Sequence, residues 1–89
     1  MKIIYKEYVV LETTGKVVSE CLVEKENVPY PQAVYDYEQV KNAWKSLWLQ
    51  YDADDVKFQE DVTSFGKCCE LRINTGDDTW FIRAICIKD

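Results

Sequence analysis

The chain opens and closes on β-type patterning, with a helical pattern between. Two segments, Leu11-Glu12-Thr13-Thr14-Gly15-Lys16-Val17 and Ile73-Asn74-Thr75-Gly76-Asp77, place a turn sequence ending in Gly between runs rich in Val, Ile, Tyr and Phe. Each predicts a hairpin whose Gly takes the left-handed conformation, as a type I turn followed by a bulge requires. Thr and Asn suit the turn positions before it. The predicted strands run over 3–12 with 16–24, and 66–74 with 79–87.

Between the hairpins, Tyr37, Val40, Trp44, Leu47, Trp48 and Tyr51 recur at helical spacing. Asp36 followed by Gln39 reads as a capping box, and Pro31 allows an earlier start because Pro suits the first turn. Asp52 and Asp54 mark the end, since Asp is a poor interior residue. In 52–65, Val56-Lys57-Phe58-Gln59 alternates as a short strand would. The expected fold is therefore α+β: one domain over 1–89, a small antiparallel sheet of four to five strands in hairpin, helix, hairpin order, and one amphipathic helix on one face.

Alternation also assigns faces. Cys69, Leu71 and Ile73 share a core face, with Cys68, Glu70 and Arg72 opposite. In the last strand Trp80, Ile82, Ala84 and Cys86 oppose Phe81, Arg83, Ile85 and Ile87, and both sets are largely apolar. Such a strand is either central and covered on both sides or offers a patch to a partner. The Ile85-Cys86-Ile87 end reads as an edge that a second subunit or a second copy could complete.

Composition narrows the function. The chain has 89 residues, enough for one modest core. Sixteen acids outweigh eleven bases, giving a net charge of −5. An acidic domain repels phosphate, which argues against direct nucleic-acid or anionic-membrane binding. Ile3 to Leu11, the first apolar stretch, is broken by Lys6 and Glu7 and has no small-residue cleavage site after it, so no export signal is expected. The cysteines Cys21, Cys68, Cys69 and Cys86 are then expected as reduced thiols in a cytoplasmic protein, filling β-type runs as small hydrophobes.

Candidate chemistry is sparse. There is no histidine, the side chain most used for proton transfer near neutral pH. Cys68-Cys69 is the only close cysteine pair, and neighbours on a strand point to opposite faces, so no zinc site or vicinal disulfide is expected. Asp52-x-Asp54 resembles the start of a calcium loop, but Lys57 stands where Gly is required and Thr63 where Glu is required. No metal, cofactor or catalytic group is assigned, and the chain is not read as an enzyme.

The remaining feature is the acidic stretch Asp52, Asp54, Asp55, Glu60 and Asp61, countered only by Lys57. Its plainer interpretation is a solvated loop. Its functional interpretation is a surface that docks on a basic partner, because dense carboxylates compete with phosphates for Lys and Arg. Leu49, off the helical stripe, joins these residues as a partner-binding candidate. The expectation is a non-catalytic protein-interaction module, with an inhibitor covering a nucleic-acid-binding surface as its concrete form. In size and charge it has the general character of counter-defence proteins from phages and mobile elements. The alternatives are a homodimer or accessory subunit completed by edge-strand pairing, and a small-ligand binder with Trp44, Trp48 and Trp80 around a pocket between helix and sheet.

Overall fold

The computed structural model describes all 89 residues. Five strands and one helix follow in the order β1 (Lys2–Leu11), β2 (Val17–Lys25), α1 (Tyr30–Gln50), β3 (Val56–Thr63), β4 (Gly66–Asn74) and β5 (Thr79–Lys88). All strands form one antiparallel sheet in the spatial order β2-β1-β5-β4-β3. The α+β class, the two hairpins and the helix between them are as the sequence pattern predicts, and 56–63 is indeed a strand. Gly15 (φ 67°) and Gly76 (φ 93°) hold the left-handed turn positions assigned to them.

Four details differ from the sequence expectation. The final strand is not an edge: β5 pairs with β1 on one side and β4 on the other, which leaves β2 and β3 as the open edges. Local patterning could not reveal this, because pairing β5 with β1 is a contact between the two ends of the chain. The helix also starts at Tyr30, after Pro29 as its N-cap, with Pro31 in the first turn. Pro is tolerated there because the first N–H groups have no intrahelical partner. Asp36 therefore lies inside the helix, where it accepts a hydrogen bond from Gln32 Nε2 at 2.8 Å and caps nothing. Burial of Ala33 and Tyr37 against the sheet favours the added turn.

The third difference concerns the cysteines. Register sets Cys68 directly opposite Cys86, with Cα atoms 4.1 Å apart, and the two form a disulfide. The expectation of four reduced thiols therefore fails for this pair, while Cys21 and Cys69 are free. The sequence placed Cys68 and Cys86 on strands but gave no register, so their meeting could not be foreseen.

The helix packs on the face made by Ile3, Tyr5, Val56, Leu71, Ile85 and Ile87. Trp44 meets Tyr5 at a ring separation of 6.4 Å, and Trp48 stacks on Phe58 at 5.9 Å. These aromatic pairs fill the space between helix and sheet. Trp80 does not join them. Its pairing with Val10 and Asn74 puts it on the opposite face, so the expected three-tryptophan pocket does not form.

That opposite face has no second layer, yet Ile82 is only 2% exposed. Long polar side chains cover it. The Tyr8 hydroxyl donates to Glu70 Oε1 across the width of β5 at 3.1 Å, and Arg72 Nε lies 3.2 Å from Glu70 Oε2. Lys57 sits over the Trp80 ring at 5.2 Å. Aliphatic stems shield the apolar centre while their charged ends stay in water. The two-sided apolar character of β5 thus belongs to a central strand, helix-covered on one face and side-chain-covered on the other.

Candidate functional site

The antiparallel order brings three connections to one end of the sheet: 12–16 after β1, 51–55 after α1, and 75–78 between β4 and β5. Backbone hydrogen bonds join them to neighbouring strands. The Glu12 N–H donates to the Asp78 carbonyl at 2.8 Å, and the Asn74 N–H to the Asp55 carbonyl at 2.8 Å. Within 52–56, the Asp52 carbonyl accepts from Asp55 and Val56, while its carboxylate accepts from the Asp54 N–H at 3.0 Å. This Asx turn explains why the acidic stretch starts as a tight loop and becomes a strand only at Val56.

These loops carry six carboxylates, on Glu12, Asp52, Asp54, Asp55, Asp77 and Asp78, against one base, Lys16. Their balance is −5, equal to that of the whole chain, because the remaining ten acids (sixteen less six) face ten bases (eleven less Lys16). All six acids are exposed, and none takes part in an ion pair. By contrast, every ion-paired acid is a glutamate elsewhere: Glu7, Glu20, Glu24, Glu26, Glu38, Glu60 and Glu70. The C-terminal end of α1 points to the same pole with no basic residue in its last turn. Its free carbonyls add negative potential there. A shallow cleft of about 520 Å³ borders the pole, lined in part by Leu47, Tyr51 and Asp55.

The structure divides the residues singled out from sequence. Asp52, Asp54 and Asp55 lie at the pole. Asp61 sits toward the far end of β3, and its pairing opposite Cys68 places it on the helix-free face. Glu60 faces the helix, where its Oε2 accepts from the Tyr37 hydroxyl at 2.6 Å and lies 3.5 Å from Lys41 Nζ. The Tyr37 hydrogen bond, aided by Lys41, holds the Glu60 carboxyl below the usual carboxylate range against the opposing effect of burial. Leu49 is 71% exposed on the outer side of the helix. Glu12, Asp77 and Asp78 join the pole through tertiary structure alone. They are distant in sequence from Asp52, and only the two Gly-containing turns hinted that both hairpin tips face one way.

The pole's carboxylates form no group able to hold a metal ion. Other concavities are open grooves, among them one of about 470 Å³ between the rim of the helix and β2, bordered by Tyr5, Val23, Lys25, Asp36 and Val40. No helix is long and apolar enough to cross a membrane. No family model matches the chain, and neither a curated protein nor a solved structure shows significant similarity to it.

Proposed function

We propose that this chain is a non-catalytic interaction module that docks its acidic pole onto a basic, nucleic-acid-binding surface of another protein. One observation carries this: a balance equal to the net charge of the whole chain is concentrated in three adjoining loops whose carboxylates make no ion pair. A charge set apart in this way steers a basic partner from a distance and leaves its carboxylates free to replace phosphates on Lys and Arg. The concrete form is an inhibitor that covers a nucleic-acid groove, of the kind made by phages and mobile elements. A cytoplasmic location belongs to this proposal, since such targets lie there.

The test is capture of the partner from lysate of the native organism, with and without nuclease. The wild-type chain is compared with a pole variant carrying Asp52→Asn, Asp54→Asn, Asp55→Asn, Asp77→Asn and Asp78→Asn, and with a control carrying Glu24→Gln and Glu26→Gln at the other end. The expected result is one stoichiometric, nuclease-insensitive partner, released by high salt, kept by the control and lost by the pole variant. Equal capture by a folded pole variant overturns the proposal.

A further inference from the structure

We infer that the outer edge of β2 pairs with the same edge of a second copy of this chain, antiparallel about a two-fold axis at Cys21. All nine residues of β2 are exposed, although five of them, Val17, Val18, Cys21, Leu22 and Val23, are apolar. Val17, Val18, Leu22 and Val23 remain 45–53% exposed. The helix packs on β3, β4 and β5 and reaches Ile3 and Tyr5 of β1, but it stands off β2 across an open groove and leaves every β2 residue exposed.

The hydrogen-bonding parity of the edge follows from the hairpin. The Leu11 N–H donates to Lys16, and Met1 exchanges hydrogen bonds with Val28, so the odd residues of β1 face β2. The Glu12 N–H turns instead toward the start of β5. Register pairs Glu7 with Cys21 and Tyr5 with Val23. The odd residues of β2 therefore bond inward, and Glu20, Leu22 and Glu24 present their N–H and C=O groups outward. An unpaired edge of this kind is a template for another strand unless a proline, a central lysine or a bulge blunts it. Here Ser19–Glu24 contains neither Pro nor Lys, its two charged side chains, Glu20 and Glu24, are drawn to Lys6 and Lys2 of β1, and the one bulge lies at its start, beside Val9 and Val10.

Charge selects the occupant and the register. A two-fold normal to the sheet pairs residues of equal parity. Centred on Cys21 it sets Glu20 against Leu22, Ser19 against Val23 and Val18 against Glu24, with no like charges opposed. Centres at Glu20, Leu22 or Val23 place Glu20 against itself, Glu24 or Glu26, which is destabilising. A centre at Ser19 opposes no like charges but pairs only Val17–Cys21 and includes the bulge, whereas the Cys21 centre pairs the whole strand. The other open edge, β3, carries Lys57 and the adjacent acids Glu60 and Asp61, and charged side chains of this kind blunt an edge, so β2 is the edge better suited to a second copy. The Cys21-centred arrangement makes a continuous ten-stranded sheet with both helices on one face. It also makes Cys21 and its symmetry mate a non-hydrogen-bonded pair, the kind whose side chains lie closest.

Light scattering after gel filtration and sedimentation velocity at protein concentrations around ten and a few hundred micromolar, a range in which a moderate-affinity dimer would appear, test this. The expected result is a dimer for the wild type and for Cys21→Ser. Oxidised glutathione converts the wild type to a covalent dimer, two Cys21 thiols giving up two protons and two electrons to it, and leaves Cys21→Ser without the cross-link. Leu22→Pro removes only an outward N–H, keeps the β1–β2 ladder and weakens association at least tenfold. Leu22→Lys serves the same purpose if the proline variant fails to fold. A wild-type monomer at the highest concentration, or dimers undiminished in a folded Leu22 variant, overturns the inference.

Discussion

Tyr37, at the centre of the helix, donates its hydroxyl hydrogen to Glu60 on the edge strand β3 at 2.6 Å. Tyr37 is fully buried, so this bond satisfies the hydroxyl that it carries into the core. It also ties the helix to the last strand of the sheet, and Lys41 closes the same contact from one turn further along the helix. Glu60 belongs to the acidic stretch in sequence and to the fold in space. The proposed docking role is therefore left to the other acids.

Tyr37→Phe deletes the hydroxyl and leaves the ring. The expected loss is about 1 kcal/mol, near the net worth of one hydrogen bond and somewhat more because the acceptor is charged. Glu60→Gln tests the charge. A carboxyl held below its unfolded value contributes stability that is present above the unfolded pKa and disappears as pH falls through the folded one. The wild type should therefore lose stability on acidification faster than Glu60→Gln, as read by urea unfolding at neutral pH and in the acid range. Equal acid sensitivity in the two proteins would show that the contact contributes no charge-dependent stability.

The alkaline limb has the opposite sign. Burial, reinforced by the hydrogen bond to Glu7, raises Tyr5 to about 12. Tyr8 and Tyr37 are also raised, chiefly by burial. A tyrosine whose folded pKa exceeds its unfolded value gives stability that is complete below the unfolded pKa of about 10. That stability is lost as pH rises through the folded value. The midpoint of urea unfolding should hold through mildly alkaline pH and fall between about 10 and 12. Tyr5→Phe should flatten that fall.

Local pattern carried the elements. The Gly15 and Gly76 turns, the stripe from Tyr37 to Trp48 and the two-sided β5 were each visible in a short window, where periodicity and turn chemistry act. Strand order and register are long-range, and three misassignments share that origin: β5 as an edge, Trp80 as a pocket wall, and Cys68 and Cys86 as separate thiols. The acidic site was legible to the same degree. Asp52, Asp54 and Asp55 form a local run, whereas Glu12, Asp77 and Asp78 reach them only after the sheet folds. Glu60 could not be separated from its neighbours until Tyr37 was placed across from it.

Gly66 supports a close approach. A Cβ there would lie 2.2 Å from the Ile87 carbonyl oxygen, a backbone atom that cannot swing aside. Gly66→Ala should force β4 and β5 apart at their paired ends and cost on the order of 1–3 kcal/mol, the range for overpacked sites. Gly15→Ala meets no neighbour but holds φ 67°, and should cost about 1–2 kcal/mol through the left-handed conformation alone. Chemical denaturation measures both. The two differ in mechanism: Asn, which tolerates the left-handed region, should rescue position 15 and not position 66.

Reduction gives the sharpest check on the Cys68–Cys86 link. The bond closes a loop of 18 residues in sequence between adjacent strands. In the chain-entropy picture a loop of this size is worth about 3 kcal/mol. The same strands are already held by the β4–β5 ladder from Gly66–Lys88 to Asn74–Trp80, so the native fold does not require the bond. Cys68→Ser with Cys86→Ser should therefore keep the circular dichroism spectrum of the parent and lower its unfolding temperature. Dithiothreitol should lower that of the wild type by a similar amount and leave the double variant unchanged. Thiol counting under denaturing conditions, before and after reductant, gives two free thiols and then four if the bond is present as isolated. If purification under strictly anaerobic, thiol-trapping conditions already yields four, the form present in the cell is the dithiol. The fold then stands on the ladder and the Tyr37–Glu60 contact without the cross-link.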